Sequence, residues 1–311
     1  MAPPHRTVVI GTRGSELALR QTREALSLLQ AAFLGVAFRV STVATGGDIH
    51  PNTPIVRLGV GAFVKELEQA LLRREIDVAV HSLKDMPTSQ PDGLVIGSVT
   101  RREDPRDALV DRWDLPLDKL PEGARIGTGS PRRAAQLLHL RPDLKVVAVR
   151  GNVATRLEKS RGKDLDGVVV ALAGLRRLGR DKEVAQVFAP EVMLPAPGQG
   201  ALALEIRQEN AALAGMVARI QDSATAASVR AERALLANLG GGCRAPFGAY
   251  ASVDSNALTL TAMLAEEDGK HIYRVTSSGS ATDPDAVAAE AFRKLMETGA
   301  SRLVDAPRGA Q

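Results

Sequence analysis

A chain of 311 residues with 44% hydrophobic content is long enough for two or three domains, each with its own hydrophobic core. The single cysteine excludes an internal disulfide and is compatible with a reducing compartment. The net charge of +4 comes from cations spread along the chain, and an aromatic content of 3% leaves too few stacking residues to indicate a nucleic-acid-binding protein.

The sequence does not predict a membrane protein. Its N-terminus lacks the apolar stretch of a signal peptide. The most apolar internal run, residues 168–175, is too short to cross a bilayer. We therefore expect a soluble, cytoplasmic protein.

Strand-like and helix-like patterns alternate from the start of the chain, which is typical of α/β domains. Strands are predicted at 7–13, 37–45, 77–83 and 94–100, and helices at 15–32 and 63–76. After a charged, proline-containing stretch at 101–121 the alternation restarts. Strands are then predicted at 125–128, 145–150 and 165–171, and helices at 131–140, 152–161 and through Arg177. A strand at 201–206 is expected to return to the first sheet.

The last part of the chain has a different pattern. Three strands are predicted, one from Gly248 and two at 257–265 and 271–277, followed by a helix at 283–297. This order predicts a small open-faced sheet with a helix packed on it. We divide the chain into α/β domain 1 (1–100 with 200–218), α/β domain 2 (101–199) and α+β domain 3 (219–311).

Two strand-to-helix junctions share a glycine-containing phrase, at residues 10–15 and 126–130. Backbone N–H groups and the helix dipole at such a junction favour an anion. Neighbouring cations add to this, namely Arg13, Arg132 and Arg133. Ser15 and Ser130 also fit as ordinary helix caps, which is compatible with anion binding.

Lys84 and Asp85 follow an apolar strand and are expected at the carboxyl edge of a sheet, where open α/β sheets bind ligands. One interpretation is a solvated Lys-Asp turn. The other is a catalytic carboxylate facing a cleft lined by arginines, which would hold a polycarboxylated substrate. The arginines in question are Arg13, Arg132, Arg133, Arg150 and Arg156. We interpret His81 as a packed strand residue, and the sequence contains no pattern of a zinc site, a Walker loop or a Ser-His-Asp triad.

Cys243 follows three glycines at a predicted helix-to-strand junction and precedes Arg244, which favours the thiolate. A lone cysteine can be a small buried hydrophobe. The glycines instead suit the close approach of a bulky group to the backbone. The local sequence leaves both a packing role and a covalent role open.

Six segments together resemble the porphobilinogen deaminase (hydroxymethylbilane synthase) family, in its order and spacing over nearly the whole chain. They are HSLKDMPT (81–88), GTGSPRR (127–133), RGNVATRL (150–157), ALAGLRRL (171–178), PGQG (197–200) and the glycine-flanked Cys243. Pro131 stands where leucine is more usual, and proline is well tolerated in the first turn of a helix. The loop at 46–62 lacks an expected lysine, so its role as a lid stays open.

The resemblance implies a fold and an activity. The fold is two α/β domains like those of periplasmic binding proteins, flanking a cleft, plus a small C-terminal α+β domain. The activity is the addition of four porphobilinogen molecules, with loss of ammonia, to a dipyrromethane cofactor joined to Cys243 by a thioether. Water then releases the linear tetrapyrrole hydroxymethylbilane for haem or chlorophyll biosynthesis. Asp85 would be the catalytic carboxylate that stabilises cationic intermediates and assists proton transfer.

The resemblance also implies a set of binding residues. Those for the cofactor are Cys243, Lys84, Thr128, Ser130, Arg132, Arg133 and Gly174. Those for the substrate are Arg13, Ser15, Phe63, Arg150, Arg156 and Arg177. We expect a monomer with no metal, no nucleic acid and no membrane partner. The alternative is a non-catalytic, two-lobed anion-binding module, which would need the arginines but neither Asp85 nor Cys243.

Overall fold

The computed structural model describes residues 7–44, 64–241 and 245–304. The chain divides into two compact units. Unit 1 holds the described residues up to Glu103 together with Gly200–Ala226, and unit 2 holds Asp104–Gln199 and the described residues from Ala227 onward. The predicted fold class, α/β with a small C-terminal α+β part, is confirmed, and the division into three domains stays a prediction.

The elements alternate along the chain as the α/β pattern predicts. The strands are β1 (Val8–Thr12), β2 (Phe38–Thr42), β3 (Val78–Ser82), β4 (Leu94–Val99), β5 (Asp107–Asp111), β6 (Arg125–Gly127), β7 (Lys145–Val147), β8 (Gly167–Ala171), β9 (Gln186–Val187), β10 (Leu202–Arg207), β11 (Phe247–Asp254), β12 (Ala257–Ala265) and β13 (Ile272–Ser280). The helices are α1 (Glu16–Ala32), α2 (Lys65–Leu72), α3 (Pro131–Leu140), α4 (Val153–Ser160), α5 (Leu172–Leu178), α6 (Ala211–Ala218), α7 (Ser223–Asn238), α8 (Pro284–Leu295) and α9 (Ser301–Val304). Short 3-10 helices lie at Leu83–Asp85, Leu117–Lys119 and Asp181–Glu183, and a π-helical turn lies at Met296–Ala300.

Two five-stranded sheets have the same topology. The sheet of unit 1 has the order β2-β1-β3-β10-β4, and that of unit 2 has the order β7-β6-β8-β5-β9. In each, the fourth strand is antiparallel to both of its neighbours, and the first three are parallel. Because β1 and β3 end at one edge, and β6 and β8 end at the equivalent edge of their sheet, the segments that follow them are collected there. Every predicted site residue on these segments therefore lies at a carboxyl edge.

Helices cover both faces of the first sheet. Leu29 of α1 and Val217 of α6 pack with Ile10 on one face, while Leu67 of α2 packs with Ala79 on the other. The antiparallel sheet β11-β12-β13 has its core on the side of α7 and α8. The members of that core include Leu235, Leu260 and Ala291, all fully buried.

The sequence predictions agree with most elements, but β9 and α6 were not predicted, and three further places differ. The stretch at 101–121 contains β5, which the sequence analysis missed. Strand β7 ends at Val147 rather than at 150. Helix α2 ends at Leu72 rather than at 76, since Arg74 adopts a left-handed φ of 61°. The return of β10 to the first sheet and the C-terminal sheet with its helix are confirmed.

Candidate active site

The segment after β3 places Lys84 and Asp85 at the surface of unit 1. Leu83 is buried, and its backbone N–H donates to the carbonyl of Ala201 at 3.1 Å, which ties the 3-10 turn to the chain just before β10. Both Lys84 and Asp85 are exposed. Within the described part of the chain, the Asp85 carboxylate accepts no hydrogen bond. It is thus presented on a fixed backbone with its oxygens available.

The junction after β1 carries two of the predicted residues. Ser15 caps α1, and its hydroxyl accepts from the backbone N–H of Ala18 at 3.3 Å. Arg13 is half-buried beside it. Ser15 therefore serves as a helix cap, as the capping pattern predicts.

The equivalent junction in unit 2 carries Thr128 and Ser130. The Thr128 hydroxyl is buried and accepts from the backbone N–H of Ser130 at 3.2 Å. Ser130 caps α3 and accepts from the backbone N–H of Arg133 at 3.5 Å, with Pro131 at the first helical position. These bonds fix the start of α3, from which two arginines extend.

Arg132 and Arg133 lie on one buried carboxylate that the sequence analysis missed. Asp107, the first residue of β5, is fully buried. Its Oδ2 accepts from Arg132 Nη1 at 2.6 Å, and its Oδ1 accepts from Arg133 Nε at 3.0 Å and Nη2 at 2.7 Å. Burial alone would raise the pKa of Asp107, but the two guanidinium groups hold that pKa well below its usual range. Burial lowers the pKa of Arg132, and Asp107 opposes this shift.

The two arginines differ in how many donors they use. Arg133 bonds through all three of its guanidinium nitrogens, since Nη1 also donates to the carbonyl of Val169 at 3.1 Å. Arg132 donates from Nη1 alone, to Asp107 and to the carbonyl of Leu194 at 2.7 Å. Its Nε and Nη2 make no hydrogen bond to residues that the structure describes. Arg132 therefore keeps donors for a ligand, whereas Arg133 is committed to the protein.

Arg150 and Arg156 flank a turn after β7. Gly151 has a φ of 111°, which disfavours any other residue there. Asn152 caps α4, and Arg156 Nε donates to the carbonyl of Gly151 at 2.9 Å. The Nη1 of Arg150 is buried and has no hydrogen-bond partner among the described residues. A buried guanidinium nitrogen without an acceptor is costly, so this position is suited to an anion that supplies one.

Gly174 and Arg177 belong to α5, which begins directly after β8. Gly174 is buried and Arg177 is half-buried. Two predicted residues, Phe63 and Cys243, and the loop at 46–62 lie outside the described residues. The flanks of Cys243 agree with the prediction, because α7 ends at Asn238, Gly240 has a φ of 88° and β11 begins at Phe247.

The described residues contain neither a metal-binding cluster nor a membrane-spanning helix. Among the described residues, no group of three or more His, Cys, Asp or Glu side chains is arranged to hold a metal ion. No helix within 7–44, 64–241 and 245–304 is long and apolar enough to span a membrane.

Comparison with known proteins identifies the family. Residues 8–215 match the family described as "Porphobilinogen deaminase, dipyromethane cofactor binding domain", and residues 226–297 match "Porphobilinogen deaminase, C-terminal domain". The chain belongs to the porphobilinogen deaminase family. Porphobilinogen deaminases are transferases, and the chain contains the family's cofactor-binding and C-terminal domains, so the predicted family, enzyme class and cofactor are confirmed.

Full-length relatives agree with this assignment. The porphobilinogen deaminase of Moorella thermoacetica is 46% identical over 96% of this chain and 95% of its own length. That of Desulforamulus reducens is 41% identical over 98% of this chain and 99% of its own length. Among solved structures, an arginine-specific periplasmic binding protein of Salmonella typhimurium gives a TM-score of 0.37 at 15% identity, covering 68% of this chain and 90% of that one. A similarity this low adds nothing to the assignment.

Proposed function

We propose that the chain condenses four porphobilinogen molecules, with loss of ammonia, onto a dipyrromethane held by Cys243, and that water then releases hydroxymethylbilane. The observation that carries the proposal is the family match over both described units. The family assignment supplies the substrate class, and the side chains of this chain support the residue roles.

The residues of unit 2 fit a group that carries several carboxylates. Arg150 has a buried Nη1, and Arg132 has an Nε and an Nη2, and none of these three atoms bonds to a described residue. A guanidinium group binds a carboxylate through two parallel N–H donors, which gives both affinity and orientation. Lys84, Thr128, Ser130 and Gly174 complete the proposed cofactor-binding set, and Arg133, whose three guanidinium nitrogens all donate to the protein, contributes to it by fixing Asp107. Arg13, Ser15, Phe63, Arg156 and Arg177 join Arg150 in the proposed substrate-binding set.

When bound, the dipyrromethane supplies the nucleophilic pyrrole carbon to which the first porphobilinogen unit is joined. The chain's own contribution to the chemical step is the Asp85 carboxylate. Loss of ammonia leaves a positive charge on the reacting unit, and a fixed carboxylate stabilises that charge better than mobile water does. The same carboxylate can accept a proton from a pyrrole ring as the new bond forms. Its exposure, with no competing hydrogen bond to a described residue, suits both roles.

We also propose that the protein is a cytoplasmic monomer without a nucleic-acid partner. The support is the family resemblance and the spread of its cations along the sequence. Sedimentation analysis and retention on DNA at low salt would test both points.

Intact-protein mass measurement tests the central proposal. The purified chain should be heavier than its sequence by two condensed pyrrole units and should form hydroxymethylbilane from porphobilinogen. Cys243→Ser should lose both the extra mass and the activity. Unmodified mass together with no product from wild-type protein would reject the proposal, and would favour the non-catalytic anion-binding module.

A further inference from the structure

A chain of buried polar contacts begins on α7, the helix that leads to Cys243. Glu232 of α7 is fully buried. Its Oε2 accepts from the backbone N–H of Gly198 at 2.7 Å, and its Oε1 accepts from the backbone N–H of Ala251 at 2.8 Å. One carboxylate therefore ties α7 to β11 and to the loop that contains Gly198, on both sides of the cysteine in the sequence.

The contacts continue from that loop to the arginine pair. Gln199 follows Gly198 and is fully buried. Its Nε2 donates to Asp107 Oδ1 at 2.8 Å and to the carbonyl of Pro105 at 2.7 Å. Asp107 in turn accepts from Arg132 and Arg133. We call three side chains the buried relay, namely Glu232, Gln199 and Asp107. They connect α7 to both guanidinium groups within unit 2.

Arg132 lies at the end of the buried relay and beside the chain that follows Cys243. A Cβ atom placed on Gly248 would lie 3.3 Å from Arg132 Cδ and 3.0 Å from the carbonyl oxygen of Leu194. Gly248 comes five residues after the cysteine. The stem of Arg132 is therefore confined between β11 and the 194–195 segment, while Asp107 and Leu194 fix its Nη1. The edge formed by Nε and Nη2 bonds to no described residue, so it remains for a ligand.

We propose that Asp107, Gln199 and Glu232 are positioning residues that hold the Nε/Nη2 edge of Arg132 in a fixed place relative to α7 and β11, so that this edge binds a carboxylate of the dipyrromethane. The proposal rests on the proposed function. Its physical reason is that an arginine already held in its binding rotamer does not lose side-chain entropy when the carboxylate arrives. A purely structural role would stabilise the fold without acting through Arg132.

A double-mutant cycle distinguishes these roles. The variants are Asp107→Asn, Arg132→Lys and their combination. Arg132→Lys is chosen because it keeps the positive charge, removes the planar guanidinium group and leaves a measurable loading rate. The readouts are the rate at which cofactor-free protein gains the mass of two pyrrole units from porphobilinogen, and the KM and kcat of loaded protein. We expect Asp107→Asn to slow loading by about tenfold to a hundredfold, as for loss of a hydrogen bond to a charged group. In protein that already carries Arg132→Lys, adding Asp107→Asn should not slow loading further.

Asp166→Asn is the matched control. Asp166 accepts from the backbone N–H of Arg125 at 2.8 Å and from its Nε at 3.3 Å, at the opposite edge of the same sheet. This variant should lower stability and leave the loading rate unchanged. Additive losses in the cycle, or equal slowing by Asp166→Asn, would overturn the proposal.

A milder variant covers the case in which Asp107→Asn does not fold. Gln199→Met keeps the length of the side chain and removes the donor to Asp107, and it enters the same cycle with the same expected result. Failure of both variants to fold would make the buried relay a structural element and overturn the proposal. If wild-type protein gains no mass and forms no product, the proposed function itself is rejected. If wild-type protein is loaded and active, but the losses in loading rate of the two single variants add in the double variant, only the positioning role is rejected.

Discussion

His81 Nε2 lies 3.0 Å from Glu205 Oε2, and both side chains are buried in unit 1. The pair links β3 to β10 near the end of β3, and Asp85 lies in the turn that follows this strand. The other oxygen of Glu205, Oε1, is buried and has no hydrogen-bond partner in the described part of the chain. Glu68 of α2 is also buried, and its pKa is raised by burial and by the charge of Glu205, with His81 opposing the shift. The interpretation of His81 as a packed strand residue is consistent with this burial.

Glu68→Gln should stabilise the protein at high pH. A carboxyl group whose pKa is raised by folding contributes stability below its unfolded pKa and loses that contribution as the pH rises through its folded pKa. Removing the charge should therefore raise the melting temperature at pH 8, and the difference from wild type should shrink towards pH 5. Calorimetry at several pH values measures this effect. Glu122→Gln, at an exposed position, is the control, and an equal gain in both variants would refute the explanation.

Arg133→Leu and Arg150→Leu should have opposite consequences. Arg133 uses three nitrogens in bonds to the protein, so its loss leaves Asp107 buried with one partner fewer and should cost about 3–5 kcal/mol. Arg150 has a buried Nη1 that bonds to no described residue, so Arg150→Leu should keep the melting temperature close to that of wild type while KM rises or chain elongation stalls. Denaturant unfolding and steady-state kinetics separate the two. A large loss of stability in Arg150→Leu with unchanged kinetics would assign it a structural role instead.

Gly269→Ala should weaken the docking of the C-terminal sheet on α3. Gly269 has a φ of 71°, and a Cβ there would lie 2.3 Å from the carbonyl oxygen of Ala135. Its own carbonyl oxygen lies 2.9 Å from His139 Nδ1. Gly179 is the matched control, because its φ is 69° and no atom of another described residue restricts its Cβ position within 4 Å. Gly179→Ala should cost about 1–2 kcal/mol from backbone strain alone, and Gly269→Ala clearly more. Equal losses would show that the close approach is unimportant.

Local signals explain which parts of the fold could be predicted from the sequence. Helix α3 begins and ends as predicted, because Ser130 and Pro131 mark its start chemically. The ends of the strands that precede Asp85 and Thr128 could be predicted because each apolar run stops at polar residues. These are properties of a few neighbouring residues, and they need no knowledge of tertiary contacts.

The elements that were missed depend on distant partners. Strand β5 is short, lies in a charged stretch and begins with Asp107, a residue type that strands disfavour. Its burial is possible only because Arg132 and Arg133, about 25 residues later, neutralise it. The role of Gln199 was hidden for the same reason: the PGQG segment was recognised as a motif, but its partner Asp107 lies 92 residues away. The sequence thus indicated the arginines without the carboxylate that holds two of them.

Asp85→Asn tests the chemical step. Each condensation passes through a cation, and removal of one preorganised electrostatic group typically costs about 10²- to 10³-fold in rate. The side chain is exposed and accepts no hydrogen bond from a described residue, so the substitution should leave the melting temperature unchanged. We expect a folded protein that can still carry the extra mass on Cys243 but forms hydroxymethylbilane at least about a hundredfold more slowly. Asp92→Asn, at another exposed position of unit 1, should keep full activity. Near-normal turnover in Asp85→Asn would return the Lys84-Asp85 pair to the interpretation of a solvated turn and require another residue for the chemical step.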